Sequence, residues 1–138
     1  MDIQRYNYEG NINIGFYVTT SQEQSIVPPE FKRTEELDTD YCETFIARTR
    51  LVGLFTAGNS NCILVPDTIT HRERSKLEES DVDFQVIDTK ETALGNQILA
   101  NDKGALISKR LEERKEEISD ALEVPVEVGE ISGIGNVG

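Results

Sequence analysis

Three side chains of this sequence could take part in covalent or metal chemistry: Cys42, Cys62 and His71 are its cysteines and its histidine. A thiol nucleophile needs a base within hydrogen-bond reach, so the possible pairs are either cysteine with His71. Neither pair lies in a catalytic motif, and His71 comes at a predicted helix start beside Arg72 and Arg74, which favours an exposed surface position. One histidine and two dispersed cysteines do not make a tetrahedral zinc site. We therefore expect no catalytic residues and no metal.

Composition and charge narrow the classes of partner. The 138 residues suit a single domain. The 26 acidic and 14 basic residues give a net charge of -12, which argues against direct binding of nucleic acid through its phosphates. A nucleoprotein would have to be met through a protein or through a local basic patch. We find no apolar run of 18 residues and no secretion signal, so we expect a cytoplasmic protein with reduced, packed cysteines and no membrane partner.

The stretch Leu94 to Ser108 predicts a β-hairpin. Residues 97–100 form one arm, Asn101-Asp102-Lys103-Gly104 the turn, and 105–107 the other arm. Asn and Asp tolerate turn dihedral angles and Gly supplies positive φ. The same pattern occurs in Val52 to Pro66 and in Ile14 to Pro28, so the hairpin is the start of a repeated unit.

The three copies align without a gap. Their equivalent positions are the glycines Gly15, Gly53 and Gly95 and, six residues later, the turn residues Ser21, Asn59 and Asn101. A fourth copy begins at Val137-Gly138. A spacing of about 40 residues indicates one supersecondary unit repeated, each too small to bury its apolar face alone. We expect the glycines to serve close approach of neighbouring units.

Helices and strands are predicted after each hairpin. In the second unit Thr70 and Glu73 fit a capping box that starts a helix ending near Glu79, followed by a strand at 84–87. In the third unit Ser108 is predicted to cap a helix from Lys109 to about Leu122, followed by a strand at 124–128. In the first unit we predict a lead-in strand within residues 1–12, a short helix from Thr34 and a strand at 44–49.

These motifs carry a family resemblance. The sequence Leu-Gly-Asn-Gln-Ile-Leu-Ala-Asn-Asp-Lys-Gly-Ala-Leu-Ile-Ser, with Gly-Asn-Ser-Asn-Cys-Ile-Leu-Val-Pro, Ile-Val-Pro-Pro and Val-Pro-Val-Glu-Val-Gly-Glu-Ile, closely resembles archaeal translation initiation factor 6. The resemblance covers the chain from about Ile12 to Gly138, and its motifs come in the family's order and spacing.

The resemblance implies a fold and a function. The fold is α/β (α+β), a pentein-type β/α propeller, here incomplete: a single domain, 1–138, with repeats at about 12–49, 50–90 and 91–134 and a fourth beginning at 137. The family binds the large (50S) ribosomal subunit, mainly through a ribosomal protein, prevents premature joining of the small (30S) subunit and is linked to large-subunit biogenesis. No cofactor is involved. Because the family uses the loops at one end of the propeller, Asn96 is the candidate ribosome contact. Asn59 and Asn101, in the hairpin turns, are weaker candidates.

The chain departs from the family pattern in the short helix near Thr34 and in having three units where the family has five. We expect a fragment of a longer protein. One alternative is a truncated or split gene. Another is a half-propeller that completes its ring by self-association or with another chain, because an open ring exposes apolar faces and strand edges. The same fold also carries guanidine-modifying enzymes with a Cys nucleophile, a much less favoured reading here.

Overall fold

The computed structural model describes residues 5–32, 34–131, 133 and 135–138. Within them lie three small sheets of three strands each. The strands of the successive sheets are β1 (Thr19–Thr20), β2 (Gln24–Val27) and β3 (Asp40–Glu43); β4 (Ala57–Gly58), β5 (Ile63–Pro66) and β6 (Phe84–Ile87); and β7 (Ile98–Ala100), β8 (Ala105–Ile107) and β9 (Val126–Val128).

Each sheet has the same topology. Its first two strands form an antiparallel hairpin, and its third strand pairs in parallel with the second. A parallel pair needs a crossover connection, and the connection carries the helix in every unit. These helices are a 3-10 turn at Thr34–Glu36, α2 (His71–Glu79), and a 3-10 stretch Lys109–Arg114 that continues into α3 (Lys115–Leu122).

A short helical turn precedes each hairpin. It is a 3-10 turn at Ile14–Phe16, the four-residue helix α1 at Val52–Phe55, and a 3-10 turn at Leu94–Asn96. Each of these turns contains the glycine of its repeat. The mixed α/β composition agrees with the predicted fold class.

The predictions that depend on neighbouring residues are confirmed. The hairpin of the third unit forms with arms within a residue of the predicted ones. The capping box of α2 is complete: Glu73 N donates to Thr70 Oγ1 at 3.2 Å, and Thr70 N donates to Glu73 Oε2 at 2.9 Å. The strand predicted at residues 84–87 is β6.

The strand predicted at residues 44–49 is wrong. The strand of the first unit is β3, four residues earlier, and Ile46 and Thr49 instead bracket a tight two-residue turn. Ala47 and Arg48 in that turn have positive φ, 50° and 63°. Their N–H groups donate to the Glu73 carboxylate at 3.0 and 2.8 Å. The hydrogen bonds to this distant carboxylate therefore stabilise a turn in a segment whose alternating pattern favours a strand.

The helix predicted from Lys109 to Leu122 is present with Ser108 at its N-cap position, but the capping role predicted for the Ser108 side chain is wrong. Ser108 Oγ is buried and donates to Gln97 Oε1 across the hairpin, and it makes no capping hydrogen bond. The helix begins as a 3-10 stretch and becomes α-helical at Lys115. Part of the predicted lead-in strand, residues 1–4, lies outside the described residues, and residues 5–12 contain one isolated bridge, between Tyr8 and Asn11, in place of a strand.

The apolar core is shared between neighbouring units. One buried cluster joins side chains of the second sheet, such as Leu64, to Ile107, Leu111 and Ile118 of the third unit. A second cluster joins Ile26 and other side chains of the first sheet to those of the second unit. Each unit thus buries its faces against the next one, as in repeat proteins.

Candidate functional site

The repeated glycines form a row in which each unit touches the preceding one. A Cβ on Gly53 would overlap the carbonyl oxygen of Gly15, one on Gly95 that of Gly53, and one on Gly138 that of Gly95. None of these three glycines has positive φ, so the requirement is space and not backbone conformation. A Cβ on Gly15 would meet no atom within 4 Å. Each unit therefore lies against its predecessor with no room for a side chain.

A shallow cavity of about 270 Å³ opens at this end of the sheets. We call it the axial cavity; it is lined by Asn13, Phe16, Leu54, Asn96 and the four glycines of the row. Phe16, Leu54 and Asn96 each follow the glycine of their unit directly. Because the glycines have no side chains, these three following residues and Asn13 supply the chemistry of the cavity wall.

Asn96 is half-buried in this cavity and is held by its backbone. Its carbonyl oxygen accepts hydrogen bonds from Val137 N at 3.1 Å and Gly138 N at 3.2 Å. Its side-chain amide makes no hydrogen bond to the described part of the chain. An amide of this kind can donate to and accept from a partner at once.

The turn residues of the three hairpins lie at the opposite end of the sheets and share one local geometry. Each side-chain oxygen accepts hydrogen bonds from the N–H groups two and three residues later, at 3.3 and 3.1 Å for Ser21, 3.0 and 3.2 Å for Asn59, and 2.8 and 3.1 Å for Asn101. Side chains of this type stabilise turns in this way.

Asn59 differs from Asn101 in its surroundings. Its side chain is 1% exposed, and its Nδ2 donates to the carbonyl oxygens of Leu122 at 2.8 Å and Asn101 at 3.3 Å. All of its hydrogen-bonding capacity is therefore used inside the protein. Asn101 is exposed at the tip of its hairpin.

Two further contacts at the turn end hold neighbouring units together and have no signature in the sequence. Buried Gln24 donates from Nε2 to the carbonyl oxygen of Asn59 at 3.2 Å and accepts from Asp83 N at 2.7 Å. Ser60 donates from both N and Oγ to the Asp102 carboxylate, each at 2.8 Å. These two hydrogen bonds, the backbone one first, lower the pKa of Asp102.

The residues that could do covalent chemistry are not arranged for it. Both cysteines are buried and free. Burial raises the pKa of Cys42, and it raises the pKa of Cys62 to about 11, so both thiols stay protonated at neutral pH. His71 is exposed on the first turn of α2. Among the described residues no group of three His, Cys, Asp or Glu side chains could hold a metal ion.

No helix in the described ranges is long and apolar enough to cross a bilayer.

Comparison with known proteins gives a consistent set of relatives. The model of the eIF-6 family matches residues 3–138. Translation initiation factor 6 of Methanocaldococcus jannaschii is 35% identical over 150 aligned residues, which cover all of this chain and 65% of the relative. The proteins of the same name from Nitrosopumilus maritimus and Thermococcus gammatolerans are each 37% identical, over 100% and 96% of this chain and 66% and 64% of the relatives.

The chain thus spans slightly less than two thirds of the length of these relatives. The family match nevertheless extends over nearly the whole chain and includes all three hairpins and the glycine row. The chain belongs to the eIF-6 family.

Proposed function

We propose that residues 12–49, 50–90 and 91–134 are three successive units of a pentein-type β/α propeller and that a fourth begins at Val137. Three sheets of identical topology support this arrangement. So does the position of Val137, which is 3% exposed: the residue after it, Gly138, lies against Gly95 as Gly95 lies against Gly53. The repeated contact is what a rotation about a common axis would produce.

We further propose that the protein acts in the cytoplasm as a translation initiation factor. In this proposal it binds the large ribosomal subunit, prevents premature joining of the small subunit and contributes to large-subunit biogenesis, without catalysing a reaction. The observation that carries the proposal is the similarity along the whole chain to proteins named Translation initiation factor 6. The net charge of -12 favours contact mainly through a ribosomal protein and not through RNA in general.

The axial cavity is the surface we propose for this contact. Asn96 supplies an amide without an internal partner among the described residues, and Phe16 beside it is 47% exposed. An exposed aromatic ring next to a free amide is a common composition for the centre of a protein interface. The other two candidate asparagines lie at the opposite end of the sheets, Asn101 exposed and Asn59 buried, so we propose that neither belongs to this contact.

Co-sedimentation of the chain with purified large and small subunits tests the proposal. We expect binding to large subunits and not to small ones, and a weakening of at least about tenfold in the Asn96→Ala variant, which is a loss of about 1.4 kcal/mol. Gln22→Ala is the matched control, because Gln22 is an exposed side chain at the opposite end of the sheets.

The two parts of the proposal have separate contradicting outcomes. Equal binding of the Asn96 and Gln22 variants would remove the axial cavity from the contact. No binding of this chain, with normal binding of a five-unit relative, would place the contact outside these three units.

A further inference from the structure

A second cavity of about 320 Å³ lies beside the start of α2 and differs in charge from the rest of the molecule. We call it the basic pocket; its lining residues are Thr44, Phe45, Arg48, Thr70, Arg72, Glu73 and Lys76. Three cations and one anion line it, in a chain whose net charge is -12. A local excess of positive charge on an acidic protein is a recognition feature for an anionic partner.

The cations of the basic pocket are not used by the protein itself. Across the described residues, Arg48, Arg72 and Lys76 form no salt bridge. The arginines outside the pocket behave differently, for four of them pair with glutamates: Arg50, Arg74, Arg110 and Arg114. The three pocket side chains are all exposed, and are therefore free to meet a ligand.

The anion of the pocket is already neutralised in part by the backbone. Glu73 is 5% exposed, and its oxygens accept hydrogen bonds from the N–H groups of Ala47, Arg48 and Thr70 at 2.8 to 3.0 Å. These bonds also hold the turn that contains Arg48, and that begins just after Phe45 and Ile46, in one conformation. The pocket wall is consequently ordered before a ligand arrives, which lowers the entropic cost of binding.

Phe45 gives the pocket a second chemistry. Its side chain is 39% exposed although its two neighbours in the chain, Thr44 and Ile46, are buried. An exposed aromatic ring beside several cations is the combination that binds single-stranded nucleic acid, the ring stacking on a base while the cations contact phosphates. A site for a phosphorylated or acidic peptide needs the cations but has no use for the ring.

The basic pocket lies at the same end of the sheets as the axial cavity. β1 is antiparallel to β2, so residues 15–16, before β1, lie near the end of β2. β3 is parallel to β2, with Val27 opposite Glu43, so residues 44–48 follow from that same end. The pocket also includes Thr70, which follows the end of β5. A partner large enough to cover this end of the sheets would therefore reach both cavities.

We propose that the basic pocket binds a single unpaired nucleotide of an RNA, with the phosphate on Arg48, Arg72 and Lys76 and the base stacked on Phe45. The contact is tolerant of sequence, since every nucleotide offers a phosphate and a ring face. This inference rests on the proposed binding of the large ribosomal subunit, where such RNA is at hand. Because the overall charge repels RNA, the pocket acts as a second contact, strengthened by tethering through the axial cavity.

An NMR titration of the isotope-labelled chain with tetrauridylate at low salt tests the pocket directly. We expect chemical-shift changes confined to residues 44–48 and 70–76, and at least about fivefold weaker binding in both Arg72→Glu and Phe45→Ala. Arg74→Glu is the matched control, because it makes the same charge change on the same helix at a residue paired with Glu78. Equal weakening in the Arg74 variant would show that binding depends only on the net charge of the protein, and it would overturn the proposal.

Two other probes separate the possible ligands. If a phosphoserine peptide bound as tightly as tetrauridylate and Phe45→Ala had no effect, the ligand would be a phosphopeptide and the nucleotide proposal would be overturned. An absence of shifts at millimolar tetrauridylate would overturn the site altogether.

The failure of this proposal can be told from the failure of subunit binding. If the chain sediments with large subunits and neither Arg72→Glu nor Phe45→Ala weakens that binding, the pocket plays no part and the proposal fails. If tetrauridylate binds in the pocket but the chain does not sediment with subunits, the pocket stands and the proposed function fails.

Discussion

The two ends of the three sheets are built by opposite means. At the glycine end, neighbouring units meet backbone against backbone, with no space for a Cβ on Gly53, Gly95 or Gly138. At the turn end, they meet through polar side chains, with Asn59 bonded to the next unit and Ser60 bonded to Asp102. The tightest contacts between units are therefore backbone contacts at the glycine end and side-chain hydrogen bonds at the turn end.

This difference separates structural from functional residues. At the turn end Asn59 and Gln24 are buried, and each side chain donates a hydrogen bond to a backbone carbonyl of the next unit. At the glycine end the closest contacts between units are made by backbone atoms, so the side chains beside the glycines, Phe16 and Asn96, remain available for a partner. Polar residues that look alike in the sequence therefore have different roles according to the end at which they lie.

The largest expected effect comes from adding one methyl group at the glycine end. Gly95→Ala places a Cβ against the carbonyl oxygen of Gly53, and because backbone cannot move aside as a side chain can, we expect a loss of about 3 kcal/mol in the free energy of unfolding. Gly15→Ala is the matched control, since its Cβ meets nothing within 4 Å. Urea unfolding of both variants measures the difference, and equal stabilities would contradict the packing of units through the glycine row.

At the turn end we expect the next largest effect from Asn59→Ala. The change leaves buried N–H and C=O groups without partners, and we expect a loss of about 2 to 3 kcal/mol. Asn101→Ala removes the same turn hydrogen bonds at an exposed site, where water replaces them, and should cost less than about 1 kcal/mol. Thermal and urea unfolding measure both variants. An equal loss of unfolding free energy in the two would contradict the structural role that burial gives to Asn59.

The Glu73 side chain is an exception at the glycine end, because it bonds to backbone N–H groups of the preceding unit. It therefore gives a sharper test of the comparison. Glu73→Gln removes an acceptor from the turn that contains Ala47 and Arg48, so we expect a loss of about 1 to 2 kcal/mol. Glu78→Gln, on the exposed side of the same helix, should change stability by less than about 0.5 kcal/mol. Urea unfolding and the amide chemical shift of Arg48 would both report the change, and an unshifted amide would argue against the contact.

The smallest effect is a pH dependence at the turn end. Hydrogen bonds from Ser60 lower the pKa of Asp102 in the folded protein. The stability linked to this group is therefore present above the carboxyl's pKa in the unfolded chain and is lost as the pH falls through its folded pKa. Ser60→Ala removes the hydroxyl donor and should raise the pKa of Asp102 toward its ordinary value. NMR titration of the carboxyl carbon measures this, and an unchanged pKa would show that the backbone N–H alone accounts for the shift.

The predictions from sequence succeed where the partners are close along the chain. The capping box of Thr70 and Glu73 and the hairpin around Asn101 depend on hydrogen bonds between residues two or three positions apart. The strand predicted at residues 44–49 fails because the carboxylate that bends it comes from Glu73, 25 positions beyond Arg48. Ser108 fails as a cap for the same reason, since its hydroxyl bonds to Gln97, 11 positions away.

The candidate site follows the same rule. The sequence pointed to Asn96 through its place after a repeated glycine, and it gave equal weight to Asn59 and Asn101 because the two occupy equivalent turn positions. It contained no signal for the basic pocket, whose members come from one loop after β3 and from the first turns of α2.

The sequence by itself determined the repeated unit, because glycine spacing, turn residues and caps act over a few positions and are written in each copy. The tertiary structure decided which of the repeated residues are buried and which cations are left unpaired. Asn59 became structural because the carbonyl of Leu122, 63 positions away, lies against it. Contacts of that range depend on how one unit packs on the next, and this packing is set by all of the apolar faces together and by no single motif.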